Sequence, residues 1–262
     1  MYLMGVCMVK LSEEKIERFR ADGFLVVKGL LDAGEVATLL ERAEWVASGQ
    51  ADHVPSQRLQ AEPGVVEGEV GPATYADSLR KMSHIAFIDE VFKAHARNQK
   101  VLDVIEALLG PDLKLYQDQL FMKPPRIGSR QAYHQDAPLG FHIDPPEMVT
   151  CWAALTEATI ANGCLWMLPG THRFGYIERA KWQAYEQMAL EGRLPQERPL
   201  ELGAGDCSFH HGLILHSSRP NKTAKRRRGY ATHYVNAGCR YTGAPEKNDA
   251  LLVRGRSFAG CV

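Results

Sequence analysis

From residue 113 onward the sequence alternates short β-prone runs with clusters of Pro, Gly and Asn. Leu113–Met122, Met148–Leu155, Gly163–Leu168, Asp206–His216 and Gly229–Val235 are the runs. The links between them are rich in turn residues and mostly lack helical periodicity, so the strands pair antiparallel, as a barrel or sandwich, and not as alternating β-α units. One helix, Glu178–Glu191, with Trp182, Tyr185 and Met188 at helical spacing, is inserted among them.

The first part of the chain is different. Ser12 caps a helix whose first turn carries Glu13 and Glu14, and Asp22-Gly23 stops it. Phe24–Val27 reads as a short buried strand. Asp32-Ala33-Gly34-Glu35 has the capping-box pattern and starts a helix that runs through Trp45. Residues 51–76 hold Pro55, Pro63, Gly64, Gly68, Gly71 and Pro72 with little periodicity and are expected to form a loop or flap. Helical spacing returns over 87–109 and ends at Gly110-Pro111. The expectation is one domain over residues 1–262, mainly β with flanking helices, in which a helical part of about 10–110 packs on a β core of about 111–236.

Composition excludes several partners. Thirty-one basic and thirty-one acidic side chains cancel, so no global field favours nucleic acid or an anionic membrane. No apolar run has the length of a membrane span. The opening Met1–Lys10 lacks a basic leader and a cleavage site, and is not read as a secretory signal. The six cysteines are scattered without a C-x-x-C pair, which fits reduced thiols and a cytoplasmic location. The cluster Lys222, Lys225, Arg226, Arg227, Arg228 reads as a solvated face.

The chemistry centres on His134-Gln135-Asp136. Residues two apart on a strand share a face, so an imidazole and a carboxylate can converge on one metal ion. A second imidazole completes the two-histidine, one-carboxylate set that holds non-haem Fe(II) and leaves three positions open. His216, at a strand end, is the candidate. His210 shares its face but lies six residues away along an extended strand, and His210 and His211 are read as structural histidines. A second H-x-D, His142-Ile143-Asp144, leaves the metal assignment open on spacing alone.

These residues, in order with Cys151-Trp152, Asn162-Gly163-Cys164-Leu165, Leu168-Pro169-Gly170-Thr171-His172, Gly205-Asp206, His216-Ser217-Ser218, Asn221 and Arg227, resemble the phytanoyl-CoA dioxygenase (PhyH) family from Asp22-Gly23-Phe24 to about Asn236. The resemblance implies a double-stranded β-helix (jelly roll) and an iron(II)- and 2-oxoglutarate-dependent oxygenase that consumes O2. It implies that His134, Asp136 and His216 bind the iron, with Trp152 at its expected distance from His134, and that His142 and Asp144 do not. Arg227 matches the arginine that grips the far carboxylate of 2-oxoglutarate, with Ser218 beside it. Gln135 and Trp152 match pocket-lining positions, and Lys81 and Gln119 further co-substrate contacts. Gln119 stands where the family pattern has a methionine. By alternation from Arg227, Arg226 and Arg228 are expected in solvent.

The resemblance also implies the reaction. Relatives that halogenate replace the metal-binding carboxylate with a small residue, so Asp136 points to hydroxylation of a small-molecule substrate, with release of succinate and CO2. The segments 51–76, 137–147 and 171–203 are expected to border the pocket, and the first to act as a lid. Two other readings stand beside this one. A cupin-like metalloenzyme that uses no 2-oxo acid would need neither Arg227 nor Ser218. A non-catalytic jelly-roll binding protein would not need the ligand set.

Overall fold

The structure, a computed structural model, describes residues 8–137, 142–243 and 250–262. Residues 138–141 of the expected pocket border lie outside it. Helix α1 (Glu13–Asp22) starts at Ser12, whose side chain accepts from Lys15 N, and stops at Gly23, in the left-handed region. Strand β1 (Phe24–Val27) follows. Helix α2 (Ala33–Ala47) begins with the complete Asp32/Glu35 capping box.

The segment expected to be a loop or flap is irregular over more than half its length but carries short elements. It contains strand β2 (Leu59–Ala61) and short helices α3 (Pro63–Val66) and α4 (Tyr75–Ser78), and leads into strand β3 (Leu79–Ser83). Within it Glu62 is buried and accepts from the backbone N–H and the hydroxyl of Ser129. The helical spacing over 87–109 resolves into α5 (Glu90–Ala96) and α6 (Gln99–Leu109), divided where Asn98 caps the second.

The remaining strands are β4 (Leu113–Phe121), β5 (Gln131–His134), β6 (Ile143–Asp144), β7 (Met148–Ala154), β8 (Leu165–Met167), β9 (Arg198–Leu200), β10 (Cys207–His211), β11 (His216–Ser218), β12 (Gly229–Asn236), β13 (Arg240–Tyr241) and β14 (Leu251–Arg254). Helix α7 (Trp182–Leu190) sits between β8 and β9. One eight-stranded sheet runs β1-β10-β7-β12-β4-β3-β2, with β14 also on β4. A four-stranded sheet runs β5-β11-β8-β9. All pairings are antiparallel. Two antiparallel sheets with chain crossing between them make the jelly roll.

The sequence reading of Asp206–His216 as one strand is corrected here. β10 belongs to the large sheet and β11 to the small one. The turn at Gly212–Leu215 carries the chain across, and a Cβ at Gly212 would press on Met148 and Ala137. This crossing positions the site.

Each face of the large sheet has its own apolar layer. The outward-facing Val149, Cys151 and Ala153 of β7 join Leu39 and Val46 of α2, Phe92 of α5 and Val101, Leu102 and Ile105 of α6 in the larger core. The inward-facing Trp152, Ala154 and Ala231 meet Leu165 and Met167 of the small sheet and Ile214 of the crossing turn. Among the described residues no helix is long and apolar enough to cross a membrane.

Candidate metal centre and co-substrate pocket

His134 ends β5 and His216 begins β11, and the two are direct cross-strand partners. Their ring centroids are 4.1 Å apart. Asp136 follows just past the strand end, where Ala137 N–H donates to Gly212 O at 2.9 Å. His134 Nε2 and His216 Nε2 each lie 3.7 Å from Asp136 Oδ1, and the three ligand atoms fall within 4.8 Å of one another.

The protonation states suit a metal. His134 Nδ1 lies 2.8 Å from Ala132 O and His216 Nδ1 3.2 Å from Ile214 O. A carbonyl only accepts, so each Nδ1 carries the hydrogen and each Nε2 lone pair faces the carboxylate. Burial pushes both imidazoles down, His216 well below the usual histidine range. Burial alone would raise Asp136, but His216, His233 and His210 around it hold the carboxyl well below the usual carboxylate range. Two neutral imidazoles and one ionised carboxylate are the form in which these groups bind a metal.

The second carboxylate oxygen is held from the large sheet. His210 of β10 and His233 of β12 both pair with Thr150 of β7, one on each side. Thr150 Oγ1 donates to Asp136 Oδ2 at 2.8 Å and lies 2.8 Å from His233 Nδ1. Since the hydroxyl hydrogen is committed to Asp136, His233 Nδ1 is the donor in the second bond. His210 Nε2 is 3.3 Å from Oδ2, too oblique for an aligned hydrogen bond. Asp136 thus presents Oδ1 to the metal position and is gripped at Oδ2.

The same cavity, enclosing about 450 Å³ with its open mouth, is lined by this cluster and by Gln119, Phe121, Trp152, Leu165, Ser218 and Arg227. Arg227 is 2% exposed. One Nη donates to Gly163 O at 2.8 Å, the guanidinium carbon stands 5.3 Å from the Trp152 ring centre, and Nε has no hydrogen-bond partner. Burial lowers Arg227 to about 10, which leaves it charged at neutral pH. The Asn162-Gly163 turn exists to let this happen. Gly163 has φ +86°, and a Cβ there would overlap the Arg219 carbonyl oxygen. Gly229 serves Trp152 in the same way, because a Cβ would overlap the indole.

The model of the phytanoyl-CoA dioxygenase (PhyH) family matches residues 19–229. The chain belongs to this family. Membership places it among the iron- and 2-oxoglutarate-dependent dioxygenases, and the His134–Asp136–His216 cluster could hold the metal ion that this class requires. Peroxisomal phytanoyl-CoA dioxygenase of Homo sapiens is 26% identical over 242 residues, covering 88% of this chain and 70% of the human one. The fold matches EctD from S. alaskensis with bound Fe (TM-score 0.76, 20% identity, 95% and 88% of the two chains). It also matches the epimerase SnoN in complex with Fe3+, alpha ketoglutarate and nogalamycin RO (TM-score 0.71, 23% identity, 95% and 93%).

Against the family pattern, Trp152, Gln119, Ser218 and Arg227 all line the cavity. Gln135 does not. Strand alternation turns it away from His134 and Asp136, and its amide is fully engaged: it donates to Gly175 O and Leu213 O and accepts from Ile177 N–H. Its visible work is to hold the loop before α7. Lys81 lies opposite Phe121 on the β3–β4 ladder, half-buried and outside the cavity lining. Burial lowers it, with Arg80 acting the same way and Asp136 opposing.

His142 is exposed, with its ring against Tyr241, and among the described residues the metal-competent cluster contains neither it nor Asp144. The reading of His210 as remote from His216 is overturned: the sheet crossing brings their rings to 4.9 Å. The solvent reading of Arg228 is also overturned. It does face away from Arg227, but that side is covered by α2. Arg228 is 1% exposed, donates to Met122 O and pairs with Glu44 at 2.7 Å. Arg226 pairs with Asp77 at 2.7 Å and is about one-third exposed.

Three contributors to the site escaped the sequence reading. Thr150 and His233 sit on strands whose inward parity was legible, but only the register of β10, β7 and β12 reveals that they meet. Lys123, buried beside Ser218, had a signal available in an unpaired lysine ahead of Pro124-Pro125.

Proposed function

We propose that this enzyme hydroxylates a C–H bond of a small molecule, with Arg227 and Ser218 holding the distal carboxylate of 2-oxoglutarate. The observation that carries the reading is the state of Arg227. It is a buried cation with an unpartnered Nε, at a cavity shared with the His134–Asp136–His216 cluster. A cation kept dry at this cost calls for an anion, and a planar guanidinium takes a carboxylate by two parallel bonds. Trp152, fixed against Gly229, forms a wall that keeps the arginine in place.

When bound, iron with 2-oxoglutarate and O2 supplies the oxidation and yields succinate and CO2. The chain supplies placement. His134, Asp136 and His216 would hold the metal, and all three line the cavity. Thr150 keeps Asp136 turned so that one oxygen serves the metal. The retained carboxylate of Asp136 leaves no gap for a halide, which favours hydroxylation. The small-molecule reading follows from the cavity's size, and the bordering segments set its specificity.

The test is calorimetric titration of 2-oxoglutarate into the anaerobic Fe(II) protein. Arg227→Ala is expected to weaken 2-oxoglutarate by a hundredfold or more, about 3–5 kcal/mol for a buried pair broken from one side. Arg227→Lys restores part of it, and metal affinity stays within about threefold. No loss at Arg227→Ala would remove the case for this anchor. Screening small molecules for coupled succinate release then identifies the substrate.

A further inference from the structure

Resting on that reading of Ser218 and Arg227, we propose that Lys123 is a positioning residue for the co-substrate: its ammonium directs the Ser218 hydroxyl as a donor toward the anion that Arg227 binds. Lys123 follows β4 by two residues and is 6% exposed. Its Nζ donates to Ser129 O at 2.9 Å, Arg219 O at 2.6 Å and Ser218 Oγ at 3.0 Å. An ammonium has three hydrogens and no acceptor. Two carbonyls and one hydroxyl use all three. While the lysine is charged, Ser218 Oγ is therefore an acceptor toward it, and its own hydrogen must point elsewhere.

The cavity is where it can point. Ser218 lines the space shared with Arg227, and no acceptor for its hydrogen is found among the described residues. The lysine is also held at its backbone. Arg227 N–H and Asn221 Nδ2 both donate to Lys123 O at 3.1 Å, so one residue ties the serine to the arginine's backbone. Its stem packs against the Gly163 turn that supplies the acceptor for Arg227, where a Cβ would come within 3.1 Å of the stem carbons.

The charges around Lys123 make this arrangement responsive. Burial first, then Arg227 and Arg80, push its amine down to about 6, while Glu62 and Cys164 act the other way. A neutral amine has two hydrogens for three acceptors and a lone pair that can take the Ser218 hydrogen, turning the hydroxyl out of the cavity. An anion at Arg227 favours the ammonium, and with it the inward hydroxyl. Binding then takes up a proton whenever the pH lies above the free-state value. Arg227 stays charged between pH 6 and 8, and Cys164, pushed up to about 11, stays neutral.

The experiment is a double-mutant cycle read as the dissociation constant of 2-oxoglutarate on Fe(II)-saturated anaerobic protein. Lys123→Met and Ser218→Ala are each expected to weaken binding about tenfold, the range for a hydrogen bond to a charged group. In the Ser218→Ala background, Lys123→Met should add less than about threefold. Wild-type affinity should fall as pH rises from 6 to 8, and the fall should be absent in Lys123→Met. If Lys123→Met does not fold, Lys123→Gln, whose amide still donates to a carbonyl, takes its place with the same reading. Equal losses from the lysine variant in both backgrounds, or parallel pH profiles in wild type and variant, would overturn the proposal. Failure of the wild type to bind 2-oxoglutarate at all would instead remove the functional reading on which it rests.

Discussion

Thr150→Val isolates the grip on the metal-binding carboxylate. Valine keeps the shape of threonine, so the 1%-exposed site is not opened. The substitution removes one 2.8 Å hydrogen bond to an ionised carboxylate and takes from His233 Nδ1 the oxygen to which it donates. A hydrogen bond to a charged group contributes about 1.5–3 kcal/mol. Losing the partner of a metal ligand typically weakens the metal by 10–100-fold. The two estimates agree at about 1.4 kcal/mol per decade. Anaerobic Fe(II) titration of Thr150→Val should therefore show affinity reduced by one to two decades, with the melting temperature of the metal-free protein lowered by only a few degrees. At saturating metal, 2-oxoglutarate affinity should be close to wild type, since Arg227 and Ser218 are untouched. Wild-type iron affinity in a folded Thr150→Val protein would show that Asp136 is oriented without this bond, and the reasoning would fail.

Two further outcomes follow from buried charge. His95, enclosed by α5 against Tyr230, is lowered by burial from 6.5 to about 4. Its folded state refuses a proton that the unfolded chain accepts, so its contribution to stability is present above pH 6.5 and is lost as pH falls toward 4, on the order of 3 kcal/mol. Urea unfolding should show His95→Leu losing less stability than wild type between pH 7 and 4.5; equal losses would contradict this. Arg228→Ala should cost about 2–4 kcal/mol, by opening a cavity and leaving Met122 O without its donor, whereas the more exposed Arg226→Ala should cost about 1–2. Denaturant midpoints compare the two, and a reversed order would mean that the α2 side of the sheet is wetter than the structure shows.

What could be read from the sequence were features whose cause is local. Ser12, Gly23 and the Asp32/Glu35 box mark helix ends because they satisfy backbone groups within a turn. The pairing of His134 with His216 was reachable because both sit at strand ends and the family pattern names them. What could not be read depends on which layer covers a face. Alternation set Arg228 opposite Arg227 correctly, but says nothing of a helix lying over that side. It also treated Asp206–His216 as one strand, because a chain that leaves one sheet for another keeps its β-prone composition through the turn. His210 was misplaced for that reason alone. The short elements inside the flap, such as α3 and β2, were not legible because they draw their order from distant partners, as Glu62 does from Ser129, and leave no periodic trace.

Arg227 and Arg228 stand side by side just ahead of β12, and each is nearly dry. One guanidinium faces the cavity and the other meets Glu44 of α2. The strand is in effect a partition one peptide thick between two charge problems, solved by different means. Glu44 of the chain itself neutralises the rear side permanently, and on the proposed reading of Arg227 the carboxylate of a co-substrate serves the front. On that reading the N-terminal helices, no part of which lines the cavity, bear on co-substrate affinity. Loosening α2 would admit water behind β12 and soften the backbone that aims Arg227.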